Sequence, residues 1–309
     1  MNSNIKKLFV VSVFFLSLSI SAQQQSDYVF YRYNLNAFNP AAAGYEGITS
    51  FSLNVRSQWQ GIDEAPRTQT FLASTSLSDK IGLGVSVIND QTFIEKQTSL
   101  FVDFSYKLRV DEDTDLFLGL KAGGNILDIN AGGLNAFNYT ADPLLVDQSN
   151  FSPNVGIGFL LKNEAYFVSL STPGLLSSDR LEEVDGTVVE ATNELHIYVA
   201  GGYNYEIAED WLLKPSVLGR YVNGAPFSAT ITAAAEFKKK FEFGVAYRTD
   251  SGISGLALIK ATDWLQAGYA YDSSLRSELN DLGSGTHEIM LRFFLPNKKK
   301  EEVPEETEE

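Results

Sequence analysis

Few residues in this chain have the types and spacing that chemistry requires. Of its 309 residues, only His196 and His287 are histidines, and none is a cysteine. A general base or a metal site needs a nucleophile or further ligands close by, but each histidine falls in an alternating apolar and polar pattern. We therefore expect both to be side chains of a β-sheet wall. Without cysteine, the chain has no thiolate nucleophile and no disulfide.

Two glycine pairs could indicate a phosphate-binding loop, because glycine-rich loops bind phosphate groups. Gly82 and Gly84, like Gly156 and Gly158, are separated by one residue, and neither pair continues to a GxGxxG or a Gly-Lys-Ser/Thr motif. This spacing instead places both glycines of a pair on one face of a strand, where no side chain fills the space. The acidic stretch 182–185 lacks the spaced ligands of a calcium loop. The sequence thus predicts no enzymatic site, no metal and no cofactor.

The elements that carry these residues repeat a period of two from Ile48 to Leu295. In LFVDFSYKLRV, alternate apolar side chains share one face and mostly polar side chains share the other. ELHIYVAGGYNYEI and HEIMLRFFL follow the same pattern. We count about fourteen such strands, an even number typical of bacterial outer-membrane barrels. Their predicted starts are Ile48, Arg67, Ile81, Ser99, Asp115, Pro153, Ala165, Glu194, Trp211, Phe227, Phe241, Gly252, Trp264 and His287.

The connections between these strands alternate between two kinds. Tight, charged turns are predicted near Ser78, Asp111, Lys162, Ala208, Lys238 and Ala261. Longer connections are predicted from Trp59 and Asn89, across 128–152 and 172–193, from Val222 and Arg248, and across 272–286. Short turns at one rim and longer loops at the other indicate an all-β fold, a transmembrane antiparallel β-barrel with periplasmic N- and C-termini.

A water-soluble β-sandwich also alternates apolar and polar residues, but it gives no reason for this ordering of the connections. Aromatic residues near the strand ends, as in interfacial girdles, also favour the barrel. They are Trp59, Tyr166, Trp211, Tyr221, Trp264 and Tyr271. The opposite faces are rich in Gly, Ala and Ser, with charges of both signs such as Lys121, Glu236 and Arg292. This composition suits a polar barrel interior.

The segments outside the predicted barrel have compositions of their own. Residues 1–22 carry Lys6 and Lys7 before an apolar region and end in Ser21 and Ala22, which predicts a cleaved signal peptide. The apolar region is shorter than the ~20 residues that a spanning helix needs. Residues 296–309 are a charged run, which predicts a disordered periplasmic tail. The net charge of −15 argues against a nucleic-acid partner.

Residues 23–47 form a lead-in segment to the first strand, and this segment contains YRYNLNAFNPAAAGYEG. Asn39 precedes a proline and is therefore pushed out of the α region, whereas Gly44 tolerates a positive φ. The segment cannot form one continuous helix for these two reasons. From the residues alone, it is an extended connector with a turn before the first strand.

Three consecutive motifs carry a family resemblance: NAFNPAAAGYEG, then RSQWQGIDEAPRTQTFLASTSL, then KIGLGVSVINDQ. In this combination they resemble the PorP/SprF family of outer-membrane proteins, which belongs to the type IX secretion and gliding apparatus. The similarity is strongest from Asn39 to Asp90, and the charged tail after Leu295 lies outside it. The matching positions are Asn39, Pro40, Ala41, Ala43, Gly44, Gln58, Trp59, Gly61, Ala65, Pro66, Thr68 and Gln69.

The resemblance implies a barrel in outer-membrane lipid that does no chemistry. Its expected role is to anchor or help export a secreted surface protein of adhesin or gliding type, with type IX machinery components as possible partners. It also implies that the lead-in packs at the periplasmic end or inside the lumen, where the matching positions are candidates for contact with the lumen or the partner. Two other functions stay open. One is a diffusion porin with a water-filled lumen, and the other is a lipase-type membrane enzyme, although no Ser-His-acid arrangement is recognisable.

Overall fold

The computed structural model describes residues 28–130, 148–176, 179–184, 187–192, 195–249, 252–274 and 285–295, with only the backbone given over 179–192. The predicted signal peptide and the charged tail lie outside these residues. Within the described ranges, no helix has the length and the apolar content that crossing a membrane requires. The chain is instead dominated by β-strands.

In the ranges that the structure describes, eighteen strands form two sheets. The strands are β1 (Thr49–Ser57), β2 (Arg67–Ser76), β3 (Ile81–Thr92), β4 (Glu95–Arg109), β5 (Asp115–Ile129), β6 (Gln148–Lys162), β7 (Tyr166–Thr172), β8 (Asp179–Val184), β9 (Thr187–Thr192), β10 (His196–Tyr203), β11 (Tyr205–Ala208), β12 (Trp211–Leu213), β13 (Ser216–Val222), β14 (Ser228–Phe237), β15 (Phe241–Arg248), β16 (Gly252–Thr262), β17 (Leu265–Ser274) and β18 (Thr286–Leu295). Each of the large sheet's strands pairs antiparallel with its neighbours. The ring closes where β1 pairs with β18 and β14 pairs with β15.

Two of the barrel strands are interrupted, so the closed ring has fourteen strands. β10 and β11 form one of them, with a break at Asn204, and β12 and β13 form another, with a break at Lys214 and Pro215. Pro215 has no N–H to give to a ladder, but its carbonyl still accepts from Tyr203 N at 3.0 Å. The predicted all-β antiparallel barrel of about fourteen strands is therefore confirmed.

Most predicted strand starts agree with the structure to within a residue or two. Two strands begin earlier than predicted, β4 at Glu95 and β6 at Gln148. The prediction of a longer connection from Asn89 is wrong, because β3 and β4 pair as far as Thr92 and Glu95 and leave only a two-residue turn. The polar residues of this hairpin hid its strand character. The connection from Thr172 contains the separate β8–β9 hairpin, which the sequence analysis missed.

The two faces of the barrel wall differ as the alternation predicts. On β4, Leu100 and Val102 are more than half exposed. Asp103, the residue after Val102, points to the opposite face and is fully buried. On β18, Ile289 is exposed and both Glu288 and Met290 are buried. An apolar outer face around a polar inner face is the pattern of an outer-membrane barrel. The outer residues are therefore those that meet lipid.

Both ends of the barrel chain lie at one rim, because Thr49 at the start of β1 pairs with Leu295 at the end of β18. This rim, which we call the turn rim, also carries the tight connections such as 209–210 and 263–264. At this rim the Trp211 ring packs at a tilt against Phe237 and the Trp264 ring stacks with Phe293, with centroid separations of 4.7 and 6.4 Å. The opposite rim, the loop rim, carries connection 58–66 and the β8–β9 hairpin.

Candidate functional site: the occupied lumen

The lead-in lies inside the barrel. From Tyr28 to Gly47 it folds into three short 3₁₀ turns, Tyr31–Tyr33, Leu35–Ala37 and Pro40–Ala42. Its side chains and main chain contact strands all around the ring, which only a segment within the lumen can do. These strands are β1, β2, β4, β5, β6, β7, β10, β13, β15 and β18.

The Asn39–Pro40 step fixes the third turn. Asn39 has an extended backbone, φ −125° and ψ 109°, as a residue before proline should. Its Oδ1 accepts from Ala41 N at 2.8 Å, which makes Asn39 the N-cap of a turn with proline in its first position. Its Nδ2 donates to Ser169 Oγ at 2.7 Å and to Phe159 O at 3.0 Å. One amide therefore both caps the turn and attaches it to β6 and β7.

Glycines on the inner wall form a cradle for this turn. A Cβ on Gly119 would lie 2.0 Å from Ala41 N, and one on Gly158 would lie 1.9 Å from Asn39 Oδ1. A Cβ on Gly82 would lie 2.1 Å from Ala43 O. Because real Cβ atoms cannot approach so closely, only glycine permits the lead-in backbone to press against the wall here. We call Gly82, Gly119 and Gly158 the glycine cradle.

The lead-in leaves the lumen at Gly44. Ser105 Oγ donates to Ala43 O at 2.5 Å, and Gly44 N donates to Ser74 Oγ at 2.7 Å. Gly44 has a φ of +69°, and a Cβ there would lie 2.7 Å from Gly82 Cα. The glycine is thus required both by its conformation and by its close approach to β3. Beyond it, the chain reaches Thr49 and β1.

A buried carboxylate holds the other end of the described lead-in. Glu288 Oε2 accepts from Val29 N at 2.8 Å and Oε1 accepts from Phe30 N at 3.3 Å. Asn54 Nδ2 and Arg56 Nη1 donate to the same carboxylate at 2.9 and 3.2 Å. Glu288 is fully buried, so these four donors compensate for the water it lost. We call Glu288, Asn54 and Arg56 the carboxylate clasp.

Further charges link the lead-in to the wall. Lys214 Nζ lies 2.5 Å from Glu242 Oε2 and 3.1 Å from Glu236 Oε2, and Tyr33 OH donates to Glu242. Near the turn rim, Arg292 Nη2 donates to Glu46 Oε2 at 2.7 Å. Buried charges are normally paired and hydrogen-bonded. In this barrel the pairing includes groups of the lead-in, so removing the lead-in would leave these wall charges incompletely satisfied.

Lys121 is one of these charges. The sequence predicts it on the inner face, and the structure places it there but not in water, since only 2% of its surface is exposed. Its Nζ pairs with Asp103 Oδ1 at 2.9 Å and donates to Asn36 O of the lead-in at 3.5 Å. The ion pair on the wall therefore also holds the lead-in backbone.

Apolar packing fills the space between these polar contacts. Tyr31, Leu35 and Phe38 are almost completely buried and belong to one cluster with the inner residues of β2, β5, β6, β7, β10 and β13. Val29 and Phe30 belong to a second cluster against β15–β18. A cavity of about 10 Å³ remains beside Val29, Phe30 and Lys214, a volume comparable to one water molecule. The described lead-in thus occupies the lumen.

The family-motif positions divide between two places. Asn39, Pro40, Ala41, Ala43 and Gly44 lie together in the lumen, as described above. The remaining positions belong to the connection between β1 and β2 or to the start of β2. These are Gln58, Trp59, Gly61, Ala65, Pro66, Thr68 and Gln69. The first group lies in the lumen toward the turn rim and the second lies at the loop rim, so the two groups do not form one site.

The β1–β2 connection forms a compact loop at the loop rim. Gln58 N donates to Pro66 O at 2.9 Å and Ile62 N donates to Trp59 O at 3.1 Å. Trp59 is partly exposed with a φ of 46°, and Gly61 has a φ of 100°. Positive φ at a tryptophan is uncommon. Backbone strain of this kind is concentrated at functional sites.

The first residues of β2 point in opposite directions. Thr68 is buried on the inner face, and its Oγ1 donates to Asp90 Oδ1 at 3.0 Å. Its neighbour Gln69 is exposed on the outer face. Thr68 thus lies on the inner side of the wall, whereas Gln69 faces outward.

The sequence analysis missed the clasp and part of the cradle. Glu288 stands in a regular strand pattern, and nothing in one sequence marks a carboxylate that will accept from a segment 258 residues away. Gly82 and Gly158 did carry a signal, since glycines on the inner face predict unfilled space. The space is filled by main chain rather than by water.

The two histidines lie apart in the barrel wall. His196 begins β10 and His287 lies on β18, as predicted, and these strands are not neighbours in the barrel. His287 Nδ1 is hydrogen-bonded to the exposed Tyr269 OH at 2.8 Å. No group of three or more His, Cys, Asp or Glu residues there could hold a metal ion.

Fold and site together define a closed outer-membrane-type β-barrel whose lumen contains its own N-terminal lead-in. The chain belongs to the PorP/SprF family of type IX secretion system membrane proteins, whose family model matches residues 20–293. The resemblance seen in the sequence motifs is therefore confirmed.

Several solved structures are similar over most of their length. The CymD monoaromatic hydrocarbon channel is 10% identical, with a TM-score of 0.47 over 83% of this chain and 91% of that chain. The toluene transporter TbuX of Ralstonia pickettii is 11% identical, with a TM-score of 0.46 over 82% and 90%. The NanC porin is 9% identical, with a TM-score of 0.43 over 80% and 100%. No curated protein matches the sequence.

Proposed function

We propose that this protein is a non-enzymatic barrel of the outer membrane that anchors a secreted surface protein, or assists its export, in the type IX system. The barrel wall holds the protein in the lipid bilayer, and the exported protein or a machinery component binds at the loop rim. Both barrel ends lie at the turn rim, which we assign to the periplasm. This assignment directs the longer connections to the cell surface.

The occupied lumen is the observation that carries this proposal. A diffusion porin needs a continuous aqueous path, and in the described residues the lead-in takes up that path with buried, hydrogen-bonded main chain. A barrel without a continuous aqueous path can still bind a protein at its rim. The porin alternative is therefore disfavoured, and membership of a secretion family favours a protein partner.

The β1–β2 connection at the loop rim provides the most direct test of partner binding. Trp59 is partly exposed at the loop rim and belongs to the family motif. Aromatic residues of this kind frequently dominate the energy of protein interfaces. We expect Trp59→Ala to leave the barrel folded and to reduce retention of the exported partner.

The experiment is an affinity purification of the tagged protein from native membranes, with bound proteins quantified by mass spectrometry. Trp264→Ala is the matched control, because Trp264 is an exposed tryptophan at the opposite rim. The proposal predicts that an exported or type IX protein is lost from the Trp59 variant and kept in the control. Equal recovery in both variants, or recovery of no such protein with the unmodified barrel, would contradict it.

A further inference from the structure

The geometry points to a peptide-binding site in the half of the lumen next to the loop rim, which this chain fills with its own Tyr28–Tyr31. The ligand class is a short polypeptide segment that forms a turn and carries aromatic side chains, supplied by a protein partner. This inference deepens the proposed function and rests on it for the partner being a protein. The lead-in then acts as an internal occupant of a site that another segment can take.

The carboxylate clasp recognises main chain. Glu288 accepts from two consecutive backbone N–H groups, those of Val29 and Phe30, and any peptide except one with proline at these positions offers the same donors. Asn54 and Arg56 fix the carboxylate from the wall side. Arg56 Nη2 is in turn held by Asp272 Oδ2 at 2.6 Å. The clasp is thus preformed by wall residues and does not depend on the lead-in for its shape.

Neighbouring wall groups select side chains. Tyr28 OH is 2.8 Å from Thr70 Oγ1, and Tyr31 OH donates to Ser216 Oγ at 2.9 Å. The Phe30 ring lies over Gly268, where an added Cβ would be only 2.8 Å from the ring, and packs with Met290. Hydroxyl partners for two tyrosines and an apolar pocket for a phenylalanine define a preference for an aromatic segment.

The lead-in is held differently along its length. Around Asn39–Gly44 its backbone is pressed into the glycine cradle, whereas Tyr28–Tyr31 is attached through side chains of the wall. A cavity of about 10 Å³, comparable to one water molecule, lies beside Val29, Phe30 and Tyr31. Among the described residues, no donor reaches the buried Asn54 Oδ1 next to the clasp. A different segment could satisfy this acceptor, which the lead-in leaves unused.

The position of the site allows a partner to reach it. Glu288 lies near the start of β18 and Arg56 near the end of β1, and both of these strand ends are at the loop rim. The cradle lies toward the turn rim, since Gly82 is next to the start of β3. Among the described residues of the lead-in, Tyr28–Tyr31 therefore lies nearer the loop rim than the cradled part, and a segment arriving from that rim could replace it while the cradled part stays in place.

The test measures binding of a labelled peptide to the purified full-length chain in detergent by fluorescence anisotropy. In one variant, Tyr28–Tyr31 is replaced by Gly-Ser-Gly-Ser, and the probe is a synthetic peptide with the sequence of residues 26–32, SDYVFYR. We expect the variant to bind this peptide and not a scrambled one, and the unmodified chain to bind it more weakly because its own segment occupies the site. Adding Glu288→Gln to the variant should weaken binding about tenfold, because the carboxylate that accepts from two main-chain N–H groups becomes a neutral amide.

A folded variant that does not bind the peptide at about 1 mM, a concentration that would detect even very weak binding, would overturn the inference. Equal binding of the scrambled peptide would do the same. If the replacement prevents folding, Phe30→Ala in the otherwise intact chain is used instead: it should bind the peptide more tightly than the unmodified chain, and equal binding by the two would overturn the inference. Because this assay contains only the barrel and the peptide, its failure is distinguishable from loss of partner retention in native membranes.

Discussion

Lys121 and Asp103 show how much an inner-wall residue depends on its neighbours. Their charged atoms are 2.9 Å apart, and both side chains are almost completely buried. Breaking such a pair from one side leaves an uncompensated charge, which typically costs about 3–5 kcal/mol. A lysine that faced a water-filled lumen would not have this constraint.

We therefore expect Lys121→Gln to lower the free energy of unfolding by about 3 kcal/mol, because Asp103 loses its partner. Urea unfolding of the barrel in lipid vesicles measures this change. Arg109→Gln is the control, since 68% of the Arg109 side chain is exposed at the end of β4, and it should change stability by less than about 0.5 kcal/mol. Equal stability of the two variants would show that Lys121 is solvated and that the lead-in contact is absent.

Gly119 tests the cradle with one methyl group. Since a Cβ there would lie 2.0 Å from Ala41 N, Gly119→Ala must push the lead-in from the wall, with a cost typical of overpacking, roughly 1–3 kcal/mol. Hydrogen exchange of the amides between residues 36 and 47 should become faster, while the strands stay protected. Gly255→Ala is the control, because a Cβ there meets nothing within 4 Å. Unchanged exchange in the Gly119 variant would argue against the cradle.

At the scale of elements, the lead-in behaves as a folded part of the barrel and not as a tether. A connector needs only its length and flexibility. If the lead-in were only a connector, a Gly/Ser linker of equal length in place of Asn36–Gly44 would change neither the assembly of the barrel nor its activity. The Asn39 cap, the fixed turn at Pro40 and the bonds of Ala43 and Gly44 to the wall predict the opposite. We expect the replaced protein to insert, to stay heat-modifiable in gels and to lose its closed lumen.

Partner retention should be measured on the same replaced protein. Its loss in a correctly inserted barrel would assign the lead-in a functional role, since the outer wall and the rim loops are unchanged. Wild-type retention together with an unaltered lumen would favour the plain connector.

The strands could be predicted from the sequence because one face must meet lipid and the other the interior, which imposes a period of two. The prediction of strands failed where residues do not have to face lipid on one side. Glu95–Thr98 extends β4 beyond the apolar stretch, and the β8–β9 hairpin is not part of the wall. The lead-in follows neither the period of two of a strand nor the 3.6-residue period of a helix. Its motif suggested structure, but its place in the lumen depends on contacts such as Val29 with Glu288, which are far apart in the sequence.

At the scale of the whole molecule, the pairing of Thr49 with Leu295 puts both barrel ends at one rim. If this rim is periplasmic, a tag after Glu309 should resist external protease on intact cells. A tag inserted into the turn between β8 and β9 should be cleaved, because that hairpin belongs to the opposite rim. A cleaved C-terminal tag beside a protected hairpin tag would reverse the orientation.

The central claim is that the barrel is closed by its own lead-in, and single-channel recording of the unmodified purified protein tests it most directly. We predict no steady conductance in planar bilayers, because buried main chain and side chains from Tyr28 to Gly44 occupy the lumen. The protein with a Gly/Ser linker over Asn36–Gly44 serves as the open control and should conduct under the same conditions. A steady, porin-sized conductance from the unmodified protein would contradict the account.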